Sequence, residues 1–528
     1  MVTVIFARSC WMGKLIQFIG VLSTTVILIP STLIAEDWPQ FRGANCTGIY
    51  NSTKALPIEF SNTKNVRWSA EVGDGIGSPA IASGRIFTTA MTDGKEPDQK
   101  LLVFAFDQHT GKKLWQQEIP AGPKPLPPIH QVNSYASAST AADSERVYVY
   151  FVRSGLMAFD AKTGVKAWQY HVPEPFFIFD WGPGMSPVLH GEKLFFVQDD
   201  DLSPALYALD KKTGKLLWKD DRSDMAVSYS HPVICDSPTG PDLVVAGTGK
   251  VLGYDIETGK RKWAAELVCR NIKTTPVVLD GIVYVSVSSS GISYQWRATS
   301  DPEGTGKITR ESIKASRKDK GVGIPDAFWK KFERGDVNKD GVLEGDEIDK
   351  AFLDPSNQGG ILDKEVRRRA GDNVDWRKWD ASLQNEFSTQ AIRGGGKGDV
   401  TKTHILWKAI NPAPDHLVSP LVVDDRVFLF KTGGFVNFLG RQKGERLGNQ
   451  ERTGSASPIL AQPVFGDNKI YATVQNGQIV VLSNSKDFKI LATNSMGEDC
   501  VATPAISDGN LYIRTRTRLF CIGGLETK

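Results

Sequence analysis

Short segments of alternating apolar and polar residues recur along most of the chain, and several of them end in the same turn pattern. The pattern is Asp-x-x-Thr-Gly-x-x-x-Trp, in which the Trp closes the strand after the turn. Asp and Thr side chains can hydrogen-bond turn amides and Gly can take a positive φ, so each copy predicts a β-hairpin. The Trp is expected to fill space between neighbouring sheets. Four copies share these offsets: Asp107–Trp115, Asp160–Trp168, Asp210–Trp218 and Asp255–Trp263.

A second repeated feature is a polar residue, followed in all units but one by proline, at the start of a short strand. Apart from one long gap these marks lie roughly 45 residues apart, which is typical of a propeller blade. They predict an all-β fold, an eight-bladed β-propeller of four-stranded antiparallel blades, with Val66–Ala70 completing the blade that contains Leu511–Ile522. Two stacked β-sandwiches would not explain the fixed offsets. The marks are Ser78-Pro79, Ser139-Thr140, Ser186-Pro187, His231-Pro232, Thr275-Pro276, Ser419-Pro420, Gln462-Pro463 and Thr503-Pro504.

These repeats resemble those of the PQQ-like (quinoprotein alcohol dehydrogenase-like) β-propellers. The segment Trp38–Gly43, WPQFRG, is similar to the start of a bacterial exported subfamily. The resemblance covers roughly residues 38–296 and 399–523. It implies the fold but not an activity, because that superfamily includes both dehydrogenases and non-catalytic scaffolds. The sixth unit departs from the pattern, with Gly440, Lys443 and Gly448 at the Asp, Thr and Trp positions.

The fifth unit contains the long gap. Its third strand is predicted at Gly291–Tyr294 and its fourth strand at the segment that ends on Trp407. Residues 297–398 would then be an insertion in the turn between these two strands. Because strands alternate direction in an antiparallel blade, this turn is expected on the face opposite the inter-blade loops.

The insertion contains a loop that matches the EF-hand calcium pattern. The expected ligands are the side chains of Asp336, Asn338, Asp340 and Glu347, the Val342 carbonyl, and Glu344 through water. Flanking residues 325–334 and 347–352 suit helices, so a helical EF-hand insertion is predicted. The alternative is an acidic turn that contains glycine. An upstream loop, Asp301–Ser312, is expected to be a structural partner that binds calcium weakly or not at all, because its last position lacks a carboxylate.

Other candidate sites have less specific sequence patterns. Asp199–Asp201 is either a cation site or a charged loop, and Pro120–His130 with Trp181 would line a funnel mouth or simply pack. Arg367–Arg369 is either a solvated face or an anion site. Asp354–Glu365 has loop-like features but begins too close to Asp336 for a second helix pair. The sequence has no GxSxG, HExxH or P-loop motif.

The N-terminal segment predicts export. Residues 1–35 combine Arg8 and Lys14 with the apolar run Leu15–Ile29 and end at Ala35, as in a secretory signal peptide. The protein is therefore expected in the periplasm or outside the cell, without a membrane span after signal removal; an uncleaved segment would anchor it to the membrane. Five cysteines remain outside this segment, and their spacing does not determine pairing.

Composition changes this picture little. The chain has 528 residues, a net charge of +3 and 41% hydrophobic residues. These values exclude wholesale disorder and give no sign of nucleic-acid binding. Length alone favours three or four domains, whereas the repeat predicts one propeller and an insertion.

Two functional hypotheses follow from the resemblance. Quinone-dependent members of the family hold the quinone in the central funnel with calcium and a catalytic Asp, and many have a vicinal disulfide. This sequence has no Cys-Cys pair, no assignable calcium set within the blades and no CxxCH haem motif. A non-catalytic exported scaffold is therefore expected, with calcium in its insertion, no PQQ, and an unidentified protein or cell-envelope partner. The alternative is a quinoprotein-type oxidoreductase that acts on an alcohol or a sugar.

Overall fold

The computed structural model describes residues 36–523 with several internal gaps. The gaps are residues 53, 93–98, 123–125, 128, 176–180, 201–202, 223–227, 248, 268–271, 290–299, 302–304, 318–325, 346, 349–350, 352–385 and 411–416. The predicted signal peptide and residues 524–528 lie outside the described part of the chain.

Eight of the nine sheets in the described chain have four or five strands and make up the blades, and the predicted eight-bladed β-propeller is confirmed. The first four blades contain β3 (Ala80–Ala82), β4 (Arg85–Met91), β5 (Lys100–Asp107) and β6 (Lys113–Pro120); β7 (Ala141–Ala142), β8 (Arg146–Phe151), β9 (Gly155–Asp160) and β10 (Lys166–Tyr170); β11 (Val188–His190), β12 (Lys193–Gln198), β13 (Ala205–Asp210) and β14 (Leu216–Asp221); and β15 (Val233–Cys235), β16 (Asp242–Gly247), β17 (Lys250–Asp255) and β18 (Arg261–Glu266).

The remaining blades follow the same plan. They contain β19 (Val277–Leu279), β20 (Ile282–Ser289), β23 (Glu386–Arg393) and β25 (Ile405–Ile410); β26 (Leu421–Val423), β27 (Arg426–Lys431), β28 (Phe435–Gly440) and β29 (Glu451–Arg452); β30 (Val464–Gly466), β31 (Lys469–Thr473), β32 (Gln478–Ser483) and β33 (Ile490–Ser495); and β34 (Ala505–Ser507), β35 (Asn510–Arg514), β36 (Arg518–Gly523) and β2 (Val66–Glu71).

The last blade joins the two ends of the chain. Strand β2 pairs antiparallel with β36, with Ser69 opposite Phe520 and Glu71 opposite Arg518. A strand from near the start of the described chain therefore becomes the outermost strand of the final blade. This pairing closes the ring of blades.

The repeated turns form the hairpins that the sequence predicts. In the first copy, Asp107 Oδ1 accepts hydrogen bonds from the amides of His109 and Thr110 and from the Thr110 hydroxyl. Gly111 follows with φ of 68°. The same bonds recur around Asp160, Asp210 and Asp255. Each Asp thus holds the conformation of the turn that contacts the preceding blade.

Tryptophans from the outermost strands join neighbouring blades, as predicted. Each indole Nε1–H donates to a carbonyl in the repeat turn of the next blade, at 2.9–3.1 Å. The turn glycine lies directly on the indole ring, so that a Cβ at that glycine would come within 2.4–2.7 Å of ring atoms. The pairs are Trp68 with Gly111, Trp115 with Gly164, Trp168 with Gly214, Trp218 with Gly259, and Trp407 with Gly444.

Trp263 is oriented differently because the fifth blade has no repeat turn to receive it. Its ring packs inside its own blade against Gly253, where a Cβ would come within 2.1 Å of the indole. Its Nε1–H donates to the buried carboxylate of Asp242, at 2.8 Å. The strand edge beside Trp263 is covered by β24 (Gly398–Asp399), which pairs parallel with β18.

The polar residues that mark the start of each blade form a ring around the propeller axis, here called the inner ring. The backbone amide of one member donates to the side chain of the next, at 2.7–3.3 Å, between all neighbours in the described chain except Ser186 and His231. The inner ring consists of Ser78, Ser139, Ser186, His231, Thr275, Ser419, Gln462 and Thr503. These bonds explain why the residue before the proline is polar.

The N-terminal segment that follows residue 35 lies across the ends of the innermost strands. Among the described residues, it makes hydrogen bonds with every blade except the fifth. These bonds join Trp38 to Ile81, Pro39 to Ala142, Gln40 to Leu189, Asn45 to Ile234, Arg42 to Pro420, β1 (Ile49–Tyr50) to β30, and Tyr50 to Gly509. Trp38, Gln40 and Arg42 are buried. The WPQFRG segment therefore ties the blades together from one end of the axis.

The predicted position of the insertion is wrong. The third strand of the fifth blade is β23 (Glu386–Arg393), which pairs with β20 along its whole length and with β25 on its other side. The insertion therefore ends before Glu386, not at 398, and joins the second and third strands. The predicted strand at 291–294 lies outside the described residues. Strand β23 escaped prediction because Ser388, Thr389 and Gln390 are polar although buried.

This correction moves the insertion to the other face of the propeller. Turns between second and third strands lie on the same face as the inter-blade loops, here called the loop face. The chain thus leaves and re-enters the fifth blade at the loop face. The described part of the insertion contains β21 (Lys307–Thr309), α1 (Arg310–Arg317), α2 (Asp326–Gly335) and β22 (Val342–Glu344).

The blade junction predicts a difference between two glycine-to-alanine variants. Gly164 and Gly84 have nearly equal φ, 72° and 74°. Each substitution therefore carries a similar backbone cost, roughly 1–2 kcal/mol. Only Gly164→Ala also pushes a methyl group to within 2.7 Å of Trp115. Overpacking of this kind adds roughly 1–3 kcal/mol. The thermal unfolding midpoint, followed by circular dichroism, should fall further for Gly164→Ala. Equal midpoints would contradict this account of the junction.

Candidate functional site

A cavity of about 640 Å³ opens along the propeller axis. Its walls come from inter-blade loops and from turns between second and third strands, so it opens on the loop face. Seven of the eight inner-ring residues, all except Ser419, line it. This size falls in the range of small-molecule sites, about 300–1,000 Å³.

The inner end of the cavity is formed by His231 and Phe41. Their rings stack with centroids 4.4 Å apart, and Phe41 comes from the N-terminal WPQFRG segment. Burial, and then the nearby Arg42 charge, lower the pKa of His231 to about 3. His231 is therefore neutral at physiological pH. Its Nε2 is buried without a hydrogen-bond partner in the described chain.

The outer part of the cavity is aromatic and carries the cation of Lys273. Trp181 and Tyr229 line it, and Lys273 Nζ lies 3.3 Å from the centre of the Trp181 ring. Asn133 holds the Trp181 loop by donating to the carbonyls of Trp181 and Pro183. His130 and Trp181, two of the residues considered for a funnel mouth, do line the cavity, although most of residues 120–130 do not.

Two residues of the acidic run, Asp199 and Asp200, are not among the lining residues of this cavity. Asp199 is buried and makes a two-pronged ion pair with the buried Arg222, at 2.7 and 2.8 Å. Arg222 also donates to the Tyr254 hydroxyl, at 2.5 Å. Asp200 is buried and accepts from the Ser203 amide, while Asp201 lies outside the described residues. Asp199 therefore neutralises a buried arginine.

The second candidate site is the predicted calcium loop. Gly341 has φ of 81° and its amide donates to Asp336 Oδ2, so the chain turns sharply at the expected position. Asp340 Oδ1 accepts from the Val342 amide. Glu347 folds over the start of the loop, where its Oε1 accepts from the amides of Val337 and Asn338.

One oxygen in this loop has no partner. Asp336 Oδ1 is buried and accepts no hydrogen bond within the described chain. Among the described residues, no three His, Cys, Asp or Glu side chains are already gathered as a metal site. The loop carboxylates instead accept bonds from nearby amides. The donor set, rich in carboxylate, amide and carbonyl oxygens, suits calcium.

The two loops of the insertion pair with each other. Strand β21 runs antiparallel to β22, with Ile308 opposite Leu343, and both side chains enter a small buried core with Phe332. In the upstream loop the Gly306 amide donates to Asp301 Oδ2, as Gly341 does to Asp336. Its final residue, Ser312, is already satisfied, because its hydroxyl donates to the Thr309 carbonyl.

Several sequence candidates are not placed by the structure. Arg367–Arg369 and Asp354–Glu365 lie outside the described residues, as do Cys10 and Cys269. The other four cysteines, Cys46, Cys235, Cys500 and Cys521, are buried free thiols. Burial raises the pKa of each to about 12. These thiols are therefore unreactive.

Sequence reasoning missed most of the cavity. Each inner-ring residue is recognisable in the sequence because it begins a blade. The pattern indicates where strands begin, but it does not indicate that these residues line one cavity. In the sequence, Phe41 stands out only as part of the segment WPQFRG. Tyr229 and Lys273 belong to inter-blade loops without a motif, so no periodicity points to them.

Comparisons with known proteins agree with the fold. The family model described as outer membrane protein assembly factor BamB matches residues 52–177 and 100–318, which together span just over half of the chain. The chain is 22% identical to BamB of Shewanella oneidensis over 447 residues, which is 79% of this chain and 88% of that protein.

Other matches are partial. BamB of Yersinia pestis is 27% identical over 242 residues, 43% of this chain and 56% of that protein, so this match spans little more than half of it. The quinone-dependent 1-butanol dehydrogenase of Thauera butanivorans is 31% identical over 139 residues, only 23% of this chain and 21% of that enzyme. Among solved structures, BamB of Moraxella catarrhalis aligns with a TM-score of 0.49 and 12% identity, covering 87% of this chain and 99% of that one.

The repeat turns, the closed ring of eight blades and the family match agree. The chain belongs to the family of PQQ-like β-propeller repeat proteins whose model is described as outer membrane protein assembly factor BamB.

Proposed function

We propose that this protein is a non-catalytic scaffold of the cell envelope, with a calcium-binding module in its fifth blade. The observation that carries the proposal is the chemistry of the axial cavity. No Asp or Glu is among its lining residues in the described chain, and Lys273 supplies its formal charge. Such a lining offers no carboxylate to hold calcium beside a quinone or to take a proton from an alcohol.

The relatives support a binding role in the envelope. The BamB match covers most of this chain and of the Shewanella protein, whereas the dehydrogenase match covers about a fifth of the enzyme. BamB is named for outer-membrane protein assembly, so the partner expected here is a protein complex of the cell envelope. The same comparison and the signal-like residues 1–35 support the proposal of an exported location. No helix in the described part of the chain is long and apolar enough to cross a membrane.

The second candidate function is a quinoprotein-type oxidoreductase. The observation that favours it is the cavity itself, which has the position and size of a cofactor site and aromatic walls. The identity to the butanol dehydrogenase extends over 139 residues, 23% of this chain. Such repeats are shared by catalytic and non-catalytic members of the fold, so this identity does not decide between the two functions.

Calcium is proposed for the loop that begins at Asp336. The unpartnered Asp336 Oδ1 and the carboxylate of Glu347 over the same loop are the groups that a cation would satisfy. Asn338, Asp340, the Val342 carbonyl and Glu344 would complete the shell. The upstream loop has the same turn but ends in Ser312, whose hydroxyl already donates to a backbone carbonyl. Its proposed role is to stabilise the calcium loop by pairing with it.

A quinone-dependent assay separates the two functions. The purified full chain, incubated with PQQ and Ca²⁺, is expected to retain no quinone after gel filtration and to reduce no dye with primary alcohols or aldose sugars. The measurements are quinone absorbance in the protein fraction and the initial rate of dye reduction. Retained quinone with substrate-dependent turnover would overturn the scaffold assignment.

The calcium site predicts a selective loss in Glu347→Gln. Removing this carboxylate should weaken calcium binding at least tenfold, since a bidentate Glu closes the EF-hand shell. Calorimetric titration with CaCl₂ measures the affinity, and far-UV circular dichroism should stay unchanged because the loop lies outside the blades. The matched control, Glu311→Gln on the exposed side of α1, should bind calcium like the unmodified protein. Equal affinities in both variants would refute the site.

A further inference from the structure

A strip of exposed lysines and aliphatic residues lies on the propeller face opposite the axial cavity. This face, here called the turn face, is formed by the turns between first and second strands and between third and fourth strands. In the first three blades, the three residues after the repeat-turn glycine are all exposed, and they are only Lys, Leu, Val or Ala. These residues, here called the basic rim, are Lys112–Leu114, Val165–Ala167 and Lys215–Leu217.

The blade junctions join the three segments of the basic rim into one strip. Trp115, the residue after the first segment, lies on Gly164, the residue before the second segment. Trp168 lies on Gly214 and connects the second segment to the third in the same way. The basic rim therefore extends without a break over three neighbouring blades.

The four lysines of the basic rim have no carboxylate partner within the described chain. Lys112 and Lys215 make no side-chain ion pair with any described residue, and Lys113 and Lys166 each donate to a glutamine on their own strand, at 2.8 and 3.0 Å. The aspartates of the three repeat turns accept hydrogen bonds from their own turns instead. The basic rim is therefore positively charged.

Carboxylates of the turn face lie closer to the axis. Asp143 and Glu192 belong to turns between first and second strands, which are the inner strands of each blade. They pair with Lys211 and Lys212, at 3.1–3.7 Å. Opposite charges thus meet near the axis, while the outer strip of the basic rim keeps its positive charge.

Aliphatic side chains are exposed between these lysines. Leu114, Val165, Leu216 and Leu217 are 37–64% exposed. An anionic lipid surface offers phosphate groups to the lysines and, just below them, an apolar layer to such side chains. An acidic polypeptide matches the charge alone. The composition of the basic rim therefore favours a lipid bilayer.

The described chain also begins on the turn face. Asp37 accepts a hydrogen bond from an amide in the turn between β3 and β4, at 2.8 Å. The Ser507 hydroxyl donates to the Glu36 carbonyl. The same hydroxyl accepts a hydrogen bond from Gln108 in the first repeat turn, at 2.9 Å. The predicted signal peptide, residues 1–35, is thus joined to the propeller at the face that carries the basic rim.

We propose that the turn face docks on an anionic lipid bilayer through the basic rim. The lysines would lie at the lipid phosphates, and Val165 and the exposed leucines would enter the headgroup region. The loop face, where the axial cavity opens, would then point away from the bilayer. Docking of this kind needs no quinone, calcium or protein partner, so the proposal stands apart from the scaffold and calcium assignments.

Sedimentation with lipid vesicles tests the docking. All eight blades lie within residues 36–523, so the protein that begins at Glu36 keeps the whole propeller and lacks the apolar run of the signal peptide. In EDTA, its partition into vesicles of phosphatidylglycerol and phosphatidylcholine should exceed that into phosphatidylcholine alone at least tenfold. High salt should reduce this difference, because salt screens exposed charges. Equal partition into both kinds of vesicle would overturn the proposal.

Two triple variants with the same change in net charge locate the contact. The first removes one lysine from each segment of the basic rim: Lys112→Gln, Lys166→Gln and Lys215→Gln. It should weaken partition into the anionic vesicles at least tenfold, because each lysine near such a surface adds to binding. The control removes exposed lysines of the insertion and of the loop-face end of β27: Lys314→Gln, Lys330→Gln and Lys431→Gln. It should partition like the unmodified protein, and equal weakening by both variants would contradict the assigned surface.

A further comparison distinguishes a bilayer from a soluble acidic partner. Val165→Ser should weaken vesicle partition at least twofold and leave the binding of poly-L-glutamate unchanged, because only a bilayer offers an apolar layer. Unchanged partition of this variant, or full displacement of the protein from vesicles by poly-L-glutamate of equal charge, would assign the basic rim to an acidic polypeptide and refute the lipid assignment. Because the vesicles contain no protein and EDTA removes calcium, a negative result leaves the scaffold and calcium assignments intact.

Discussion

The contact between an indole and the turn glycine of the next blade organises this propeller. A ring of small sheets has no shared core, so each blade must bury its face against its neighbours. The Trp supplies area and one directional bond, and the Gly supplies the close approach that any Cβ would prevent. The inner ring adds amide bonds around the axis, and β2 closes the circle. Where the fifth blade lacks the turn, Trp263 folds back into its own sheet and Asp242 takes its N–H.

Much of this architecture could be predicted because its contacts repeat. The Asp-Thr-Gly turn and its Trp are local patterns at fixed offsets, and they gave the blade count and the junctions. Strand β23 could not be predicted because Ser388, Thr389 and Gln390 are polar yet buried, so the strand lacks an alternating pattern. Without β23, the sequence places the insertion between the third and fourth strands, on the wrong face of the propeller. The cavity could not be predicted because its walls come from unrelated loops that only the closed ring brings together.

The two candidate sites have opposite chemistry. The loop at Asp336 concentrates carboxylate and carbonyl oxygens, one of them buried without a partner in the described chain, and suits a hard cation. The axial cavity is lined by hydroxyls, an imidazole and Lys273, and no carboxylate is among its described lining residues. The insertion also joins the blade on the loop face, where the cavity opens. None of the described residues of the loop at Asp336 lines the axial cavity.

Native-state hydrogen exchange of the indole N–H groups tests the blade junctions most directly. With ¹⁵N-labelled tryptophan, signals are assigned through single Trp→Phe variants. If junctions hold the ring together, the indole protons of Trp68, Trp115, Trp168, Trp218 and Trp407 exchange only when the whole propeller opens, with closely similar protection. Exchange of any of these at the rate of an exposed indole, while the others stay protected, would show that its blade opens alone and would contradict the account.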